Sequence, residues 1–247
     1  MSIYYPLFSQ NFLIFNRSYV YLPLLGRINV INYGYIRVRW NWREMKEFLI
    51  NTFQITLEEA SIFSSCFEVK EYSKNEKFLE RGKVCNKVGY IQKGGLKCVL
   101  VGDGREVIDD FVFENQFVSN YYSFLTNKES TKDIICIEDS LIRVINREKL
   151  QELSQKYLFI EQIARKVTEG LFISTHQKLE ALRLLSAEER YLNLLTSNPK
   201  IMDKVPQYDV ASYLNVSPET VSRIRRNLTI RSWSGSMNIK TESTFFE

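Results

Sequence analysis

The chain has 247 residues, 45% of them apolar and 25% charged, with a formal net charge of +4. That length holds one large or two modest domains with real cores, and the composition is that of a globular protein, not a disordered or fibrous one. No apolar run approaches the ~20 residues of a membrane span, and residues 1–44 lack the basic-then-apolar order of a secretory leader, so the expected compartment is the cytoplasm with no membrane partner.

Residues 1–44 are crowded with aromatics such as Tyr4, Phe8, Phe12, Tyr19, Trp40 and Trp42, and are basic, with Arg17, Arg27, Arg37, Arg39 and Arg43 preceding the first acid, Glu44. Arginines among aromatics suit a membrane-surface or nucleic-acid arm. The reading preferred here is an extension outside the core fold, because MKEFL from Met45 looks like an ordinary start.

From Thr52 the pattern becomes regular. Thr56 and Glu59 form a capping box that opens a short helix. Short apolar runs follow, FEVKEY, KFLE, VGYIQ, LKCVLV, EVIDDFVF, DIICIE and LIRVIN, separated by glycine turns. Many short strands of this kind predict an antiparallel sandwich or jelly roll over residues 45–153, with Gly94-Gly95 and Asp103-Gly104 as hairpin signals. Cys66, Cys85, Cys98 and Cys136 lie far apart without a C-x-x-C pair and read as buried, reduced core thiols. A lone His176 argues against a histidine metal site or a His-based triad. With no nucleophile–base pair, metal spacing or phosphate loop, neither an enzyme nor a cofactor is expected.

Residues 155–185 switch to helical periodicity. Ile160, Ile163, Val167 and Leu171 make an apolar seam that weakens toward Lys178 and Leu182 and is interrupted by Gly170 and Ser174. The pattern fits a helix packed on its own barrel and a two-stranded coiled coil equally well. Ser186 and Glu189 form a second capping box, so a new helix and a hinge are expected there.

The stretch PQYDVASYLNVSPETVSRIRRNL, Pro206 to Leu228, reads as a helix-turn-helix. Ser217 is a good N-cap and Pro218 suits the first helical position, where its missing N–H costs nothing. Val221, Ile224 and Leu228 give one inward stripe, leaving Glu219, Ser222, Arg223 and Arg226 on the opposite face. Val210, Ala211 and Leu214 give the preceding helix its apolar side, and Asn215 stands where the chain must turn in the left-handed region. Arg can bridge guanine O6 and N7 while Glu accepts from cytosine N4, so this face has the chemistry of base reading. Charge agrees in sign: residues 45–153 carry −3 and residues 183–232 carry +3.

VASYLNVSPETVSRIRRNL, with SAEERYLNLLTSNPKIMDKVP before it, resembles the C-terminal part of Crp/Fnr-type transcriptional regulators, most of all the branch found in Bacteroidetes-type bacteria. The resemblance runs from about Met45 to Leu228. It implies an α+β fold: a cyclic-nucleotide-binding-like β-roll sensor (45–153), a dimerisation helix (154–185), a helix-turn-helix domain (186–232) and a tail (233–247). It places Glu219, Thr220 and Arg223 at the family's base-reading positions, within a DNA-binding set of Ser217, Glu219, Thr220, Ser222, Arg223 and Arg226. Pro218 stands where some members carry another base-contacting Arg, Asn215 replaces the usual turn glycine, and no wing is apparent in TIRSWSGSMNIKTESTFFE.

The same resemblance bears on the sensor. Members that bind cyclic AMP hold the ribose with a Gly-Glu pair and the phosphate with a downstream Arg. Here a gap-free reading puts Ser119 and Asn120 at the pair and Ser130 at the Arg. Serine cannot replace the planar, charged fork of arginine, and cyclic AMP is therefore not expected. Asn120, Tyr121, Tyr122, Ser123 and Ser130 remain candidates for a pocket of unknown effector, with Lys128 and Lys132 nearby. The function expected is sequence-specific regulation of transcription by a homodimer on near-palindromic double-stranded DNA, with RNA polymerase as a further candidate partner. The alternative is a ligand-binding regulatory module acting on a protein partner.

Overall fold

The computed structural model describes residues 42–241, Asp103 and Lys200 excepted. The expected N-terminal extension therefore lies, for residues 1–41, outside the described residues. Helix α1 (Trp42–Phe53) opens the described chain and already belongs to the core, because Met45, Leu49 and Phe53 recur at helical spacing and are buried. Helix α2 (Leu57–Ser65) starts at the expected capping box: Glu59 N–H donates to Thr56 Oγ1 at 3.2 Å, and Thr56 N–H to Glu59 Oε2 at 2.8 Å.

Two antiparallel sheets then build the roll. One has the order β1 (Glu68–Tyr72), β8 (Ser140–Asn146), β3 (Lys87–Lys93), β6 (Phe117–Val118). The other runs β2 (Lys77–Leu79), β7 (Lys132–Cys136), β4 (Gly95–Gly102), β5 (Arg105–Phe113). The strand period of two sorts the side chains. Ile142 and Val144 of β8, Ile91 of β3, and Leu96 and Cys98 of β4 fill the space between the sheets, with Phe78 and Val118. Tyr90 and Ile145 face the other way and join a second core with α1, α2 and the helices after β8. Cys85, Cys98 and Cys136 are buried, and burial pushes the Cys98 thiol up to about 12 and that of Cys136 to about 11, which suits inert packing.

Gly102 and Arg105 close the β4–β5 hairpin around the expected turn. The Gly94-Gly95 expectation is corrected. β3 and β4 lie in different sheets, so these glycines turn a corner between layers instead of closing a hairpin. Gly94 has φ +101°, and a Cβ there would come within 2.8 Å of the Ser140 backbone, so only glycine lets the chain cross so close to β8.

After β8 come α4 (Arg147–Lys156) and α5 (Leu158–Leu184), separated at Tyr157. The expected seam changes here. Ile160 and Ile163 are 2% and 4% exposed inside the chain's own core with α1 and α2, where a second copy cannot reach them, whereas Val167 is half-buried against that core and Leu171 is exposed. The stripe left open starts one turn later. Thr168, Phe172, Thr175, Leu179 and Leu182 are exposed and alternate at four- and three-residue steps, the spacing of a coiled-coil seam.

Helices α6 (Ala187–Ser197), α7 (Ile201–Lys204), α8 (Gln207–Tyr213) and α9 (Pro218–Thr241) form the C-terminal unit. It packs on the outer face of β4 and β5 through a third core that joins Val99, Ile108 and Phe111 to Val210, Ala211, Leu214, Val221 and Ile224. Polar contacts fix the register. Lys97 Nζ meets Asp209 Oδ2 at 2.8 Å, with the Asp209 side chain 7% exposed, and Ile108 N–H donates to Ser212 Oγ at 3.0 Å. Lys178 of α5 pairs with Asp110 at 2.8 Å and lies over the Tyr213 ring, while Lys204 bridges Glu114 and Glu138. Among the described residues no helix is long and apolar enough to cross a membrane.

Candidate nucleic-acid interface

The turn between α8 and α9 is built by local chemistry. Asn215 adopts the left-handed conformation at φ 54°, and Val216 N–H donates to Ala211 O while Asn215 N–H donates to Ser212 O. This double closure is a Schellman motif, and it stops α8 sharply. Ser217 then caps α9, accepting the Thr220 N–H at 3.3 Å, with Pro218 at the first helical position as expected. Val221 and Ile224 are buried and Leu228 is partly so, which leaves the opposite face open.

On that open face Glu219, Ser222, Arg223 and Arg226 line a shallow groove of about 220 Å³. A hydrogen bond from the Ser217 side chain holds the Glu219 carboxyl below the usual carboxylate range, so it stands ionised as an acceptor. Arg223 and Arg226 supply planar donor forks beside it. Ser217 and Thr220 are placed differently from these four: their hydroxyls lie 3.3 Å apart, and Ser217 also serves the cap. Gln207 carries no signal in the sequence pattern. Its Nε2 donates to Pro218 O at 2.8 Å and its Oε1 accepts from Arg225 at 3.5 Å, pinning the first turn of α9 to α8. The segment expected as a tail continues α9 to Thr241, and no strands of a wing follow among the described residues.

The sensor candidates gather around α3 (Tyr121–Thr126), a short helix that the sequence did not announce. Asn120 caps it, accepting Ser123 N–H, and Asn120 Nδ2 donates to Ser130 Oγ at 2.7 Å. Ser130 Oγ in turn donates to Lys132 O at 2.7 Å. Asn120 and Ser130 thus stand side by side as a buried neutral pair, satisfied by each other and by the backbone around them. Ser119 donates to Lys87 O at 3.1 Å, and Ser123 is buried, bonding to Lys128 O and accepting from Cys85 N–H. The Lys132 ammonium is engaged by Asp109, while Lys128 is exposed. Tyr122 points outward, whereas Tyr121 OH meets Thr168 Oγ1 at 2.8 Å and ties α3 to α5. No group of three or more His, Cys, Asp or Glu among the described residues is placed to hold a metal ion.

Residues 69–157 match the family model of the cyclic nucleotide-binding domain. Among solved structures, FixK2 from Bradyrhizobium japonicum is similar, at 18% identity and a TM-score of 0.59, over 67% of this chain and 86% of that one. The c-di-GMP-responsive global regulator CLP of Xanthomonas campestris, which links cell–cell signalling to virulence gene expression, gives 17% identity and 0.57, over 72% and 93%. A protein of the Crp/Fnr family from Eubacterium rectale gives 16% and 0.55, over 74% and 87%. No curated protein matches the chain by sequence. At these identities the likeness is one of fold.

Proposed function

With the fold of Crp/Fnr-type regulators as the premise, we propose that this chain is a sequence-specific, DNA-binding transcription regulator that acts as a homodimer and not as an enzyme. The observation that carries the reading is the exposed Glu219–Arg223–Arg226 face on a helix whose opposite face is buried and whose start is fixed by Ser217, Pro218 and the Asn215 turn. Two such helices, held by α5 of each protomer, would enter successive major grooves roughly 34 Å apart on a near-palindromic site. Ser217, Thr220 and Ser222 would flank the base contacts of Glu219 and Arg223, and Arg226 would approach the backbone phosphates.

Arg223→Ala is the test. The variant is expected to lose about 1–3 kcal/mol of specific binding and to relax its preference at one guanine. Gel shift at fixed salt against duplexes selected by the unaltered protein measures both. Unchanged affinity together with unchanged base preference would remove Arg223 from the reading face.

The sensor reading is that this roll does not take cyclic AMP. A cyclic phosphate carries a full charge, and a neutral Asn120–Ser130 pair offers it no countercharge. Calorimetric titration with cyclic AMP should give no binding heat at physiological concentrations; micromolar affinity would overturn this and direct attention to Lys128. Whatever ligand the roll takes, it would act by favouring one arrangement of the two helix-turn-helix units, with Tyr121–Thr168 as a direct tie from sensor to α5.

A further inference from the structure

Only two residues, Leu185 and Ser186, separate α5 from α6, and both are extended, at φ/ψ −96°/143° and −64°/163°. The covalent link between the long helix and the helix-turn-helix unit therefore turns on one free peptide plane, between Leu185 and Ser186, alongside the packing of that unit on β4 and β5. Its carbonyl, Leu185 O, accepts a hydrogen bond of 2.7 Å from Arg190 Nη1. The other terminal nitrogen of the same guanidinium, Nη2, donates at 3.0 Å to Leu214 O. Leu214 is the C-cap of α8, and the Schellman closure uses the carbonyls of Ala211 and Ser212, leaving that of Leu214 to the arginine. Arg190 itself is carried on the first turns of α6, anchored by its N–H to Ser186 O at 3.0 Å and by the Ser186–Glu189 capping box.

We infer that Arg190 is a positioning residue that sets the direction of α9 relative to α5, and through it the preferred spacing of DNA half-sites. The physical reason is the rigid fork. A peptide plane turns as a unit when its flanking dihedrals turn, so holding the Leu185 carbonyl to α6 fixes the Ser186 side of the hinge and leaves Leu185 φ and ψ as its remaining freedom. The second nitrogen is locked to the first by the planar guanidinium, so the plane at the hinge and the plane at the helix-turn-helix corner are held at one mutual orientation. Lysine has a single charged centre on a flexible stem and cannot bind two carbonyls in fixed geometry. Arg190 touches no base in this scheme, because it acts through α9. The inference rests on the DNA-binding reading proposed above.

The experiment uses the full chain. The unaltered protein first selects binding sites from random duplex DNA. The half-site it defines is then placed in duplexes whose spacer is lengthened or shortened by single base pairs, and these compete for the unaltered protein, Arg190→Ala and Arg190→Lys. Both variants are expected to keep the same half-site sequence preference, while discrimination between the preferred spacer and its neighbours falls about tenfold, the scale of one charge-assisted hydrogen bond. An equal loss of affinity at every spacer would overturn the inference by making Arg190 a stability residue, as would loss of the folded state in both variants by thermal melting. So would a sharp spacer preference retained by either variant. If the unaltered protein selects no sequence at all, DNA reading itself fails and this inference falls with it, a result distinct from selection without spacer discrimination.

Discussion

Phe172→Asp is expected to convert a dimer into a folded monomer and to cut specific DNA binding by at least about a hundredfold. Phe172 is 72% exposed on a single chain and lies in the open stripe with Leu179 and Leu182, so the substitution costs the protomer nothing in its own core. In a paired helix seam the same carboxylate would be buried without a partner, which costs several kcal/mol. One recognition helix alone contacts too few bases to find a site among nonspecific competitors. Ile163→Asp serves as the contrast: Ile163 is packed with α1 and α2, and a charge there should unfold the roll at a cost of about 3–5 kcal/mol, a large part of any domain's stability. Light scattering gives the mass, thermal melting the fold and gel shift the binding. Should Phe172→Asp remain dimeric, the stripe is not the seam.

The second large effect concerns how the helix-turn-helix unit is seated. Lys97→Met should release that unit from β4 and β5, because it strands the Asp209 carboxylate in the interface without its cation, at a cost of about 3 kcal/mol. Moving the unit away returns the carboxylate to water, so the chain is expected to open at Leu185–Ser186 and not to unfold. Small-angle scattering should then report a larger radius, and proteases should cut the hinge faster. The double variant Lys97→Met, Asp209→Leu should recover the closed shape, since apolar groups of similar volume tolerate that environment. An unchanged radius for Lys97→Met would mean the pair contributes nothing to seating.

The legible parts of the chain were those that local chemistry decides. Ser217, Pro218 and Asn215 name their own backbone conformations, and the stripe of Val221, Ile224 and Leu228 can face only one way. Both capping boxes sit where their residues place them. The misreadings have one cause, which is that a local pattern does not name its partner. Glycine supplies a positive φ equally well to a hairpin and to a corner between sheets, so Gly94-Gly95 could not be told apart from sequence. The apolar spacing of Ile160 and Ile163 matches a coiled coil and an internal contact alike, and α1, whose residues begin at Trp42, takes it. Helix α3 is too short for a period to appear. Lys97 and Asp209 are 112 residues apart, as surface-type charges that only the docking of two units brings together.

The open stripe on α5 has a consequence for control. Were chains to pair through that stripe, mass action would make the fraction able to grip two half-sites rise with total protein and fall on dilution. At low abundance the concentration of paired chains grows as the square of chain number, and occupancy of a paired site follows it steeply. If the roll takes no effector at its neutral Asn120–Ser130 pair, as proposed above, synthesis and degradation of the chain would themselves become the input, and gene dosage the setting of the switch.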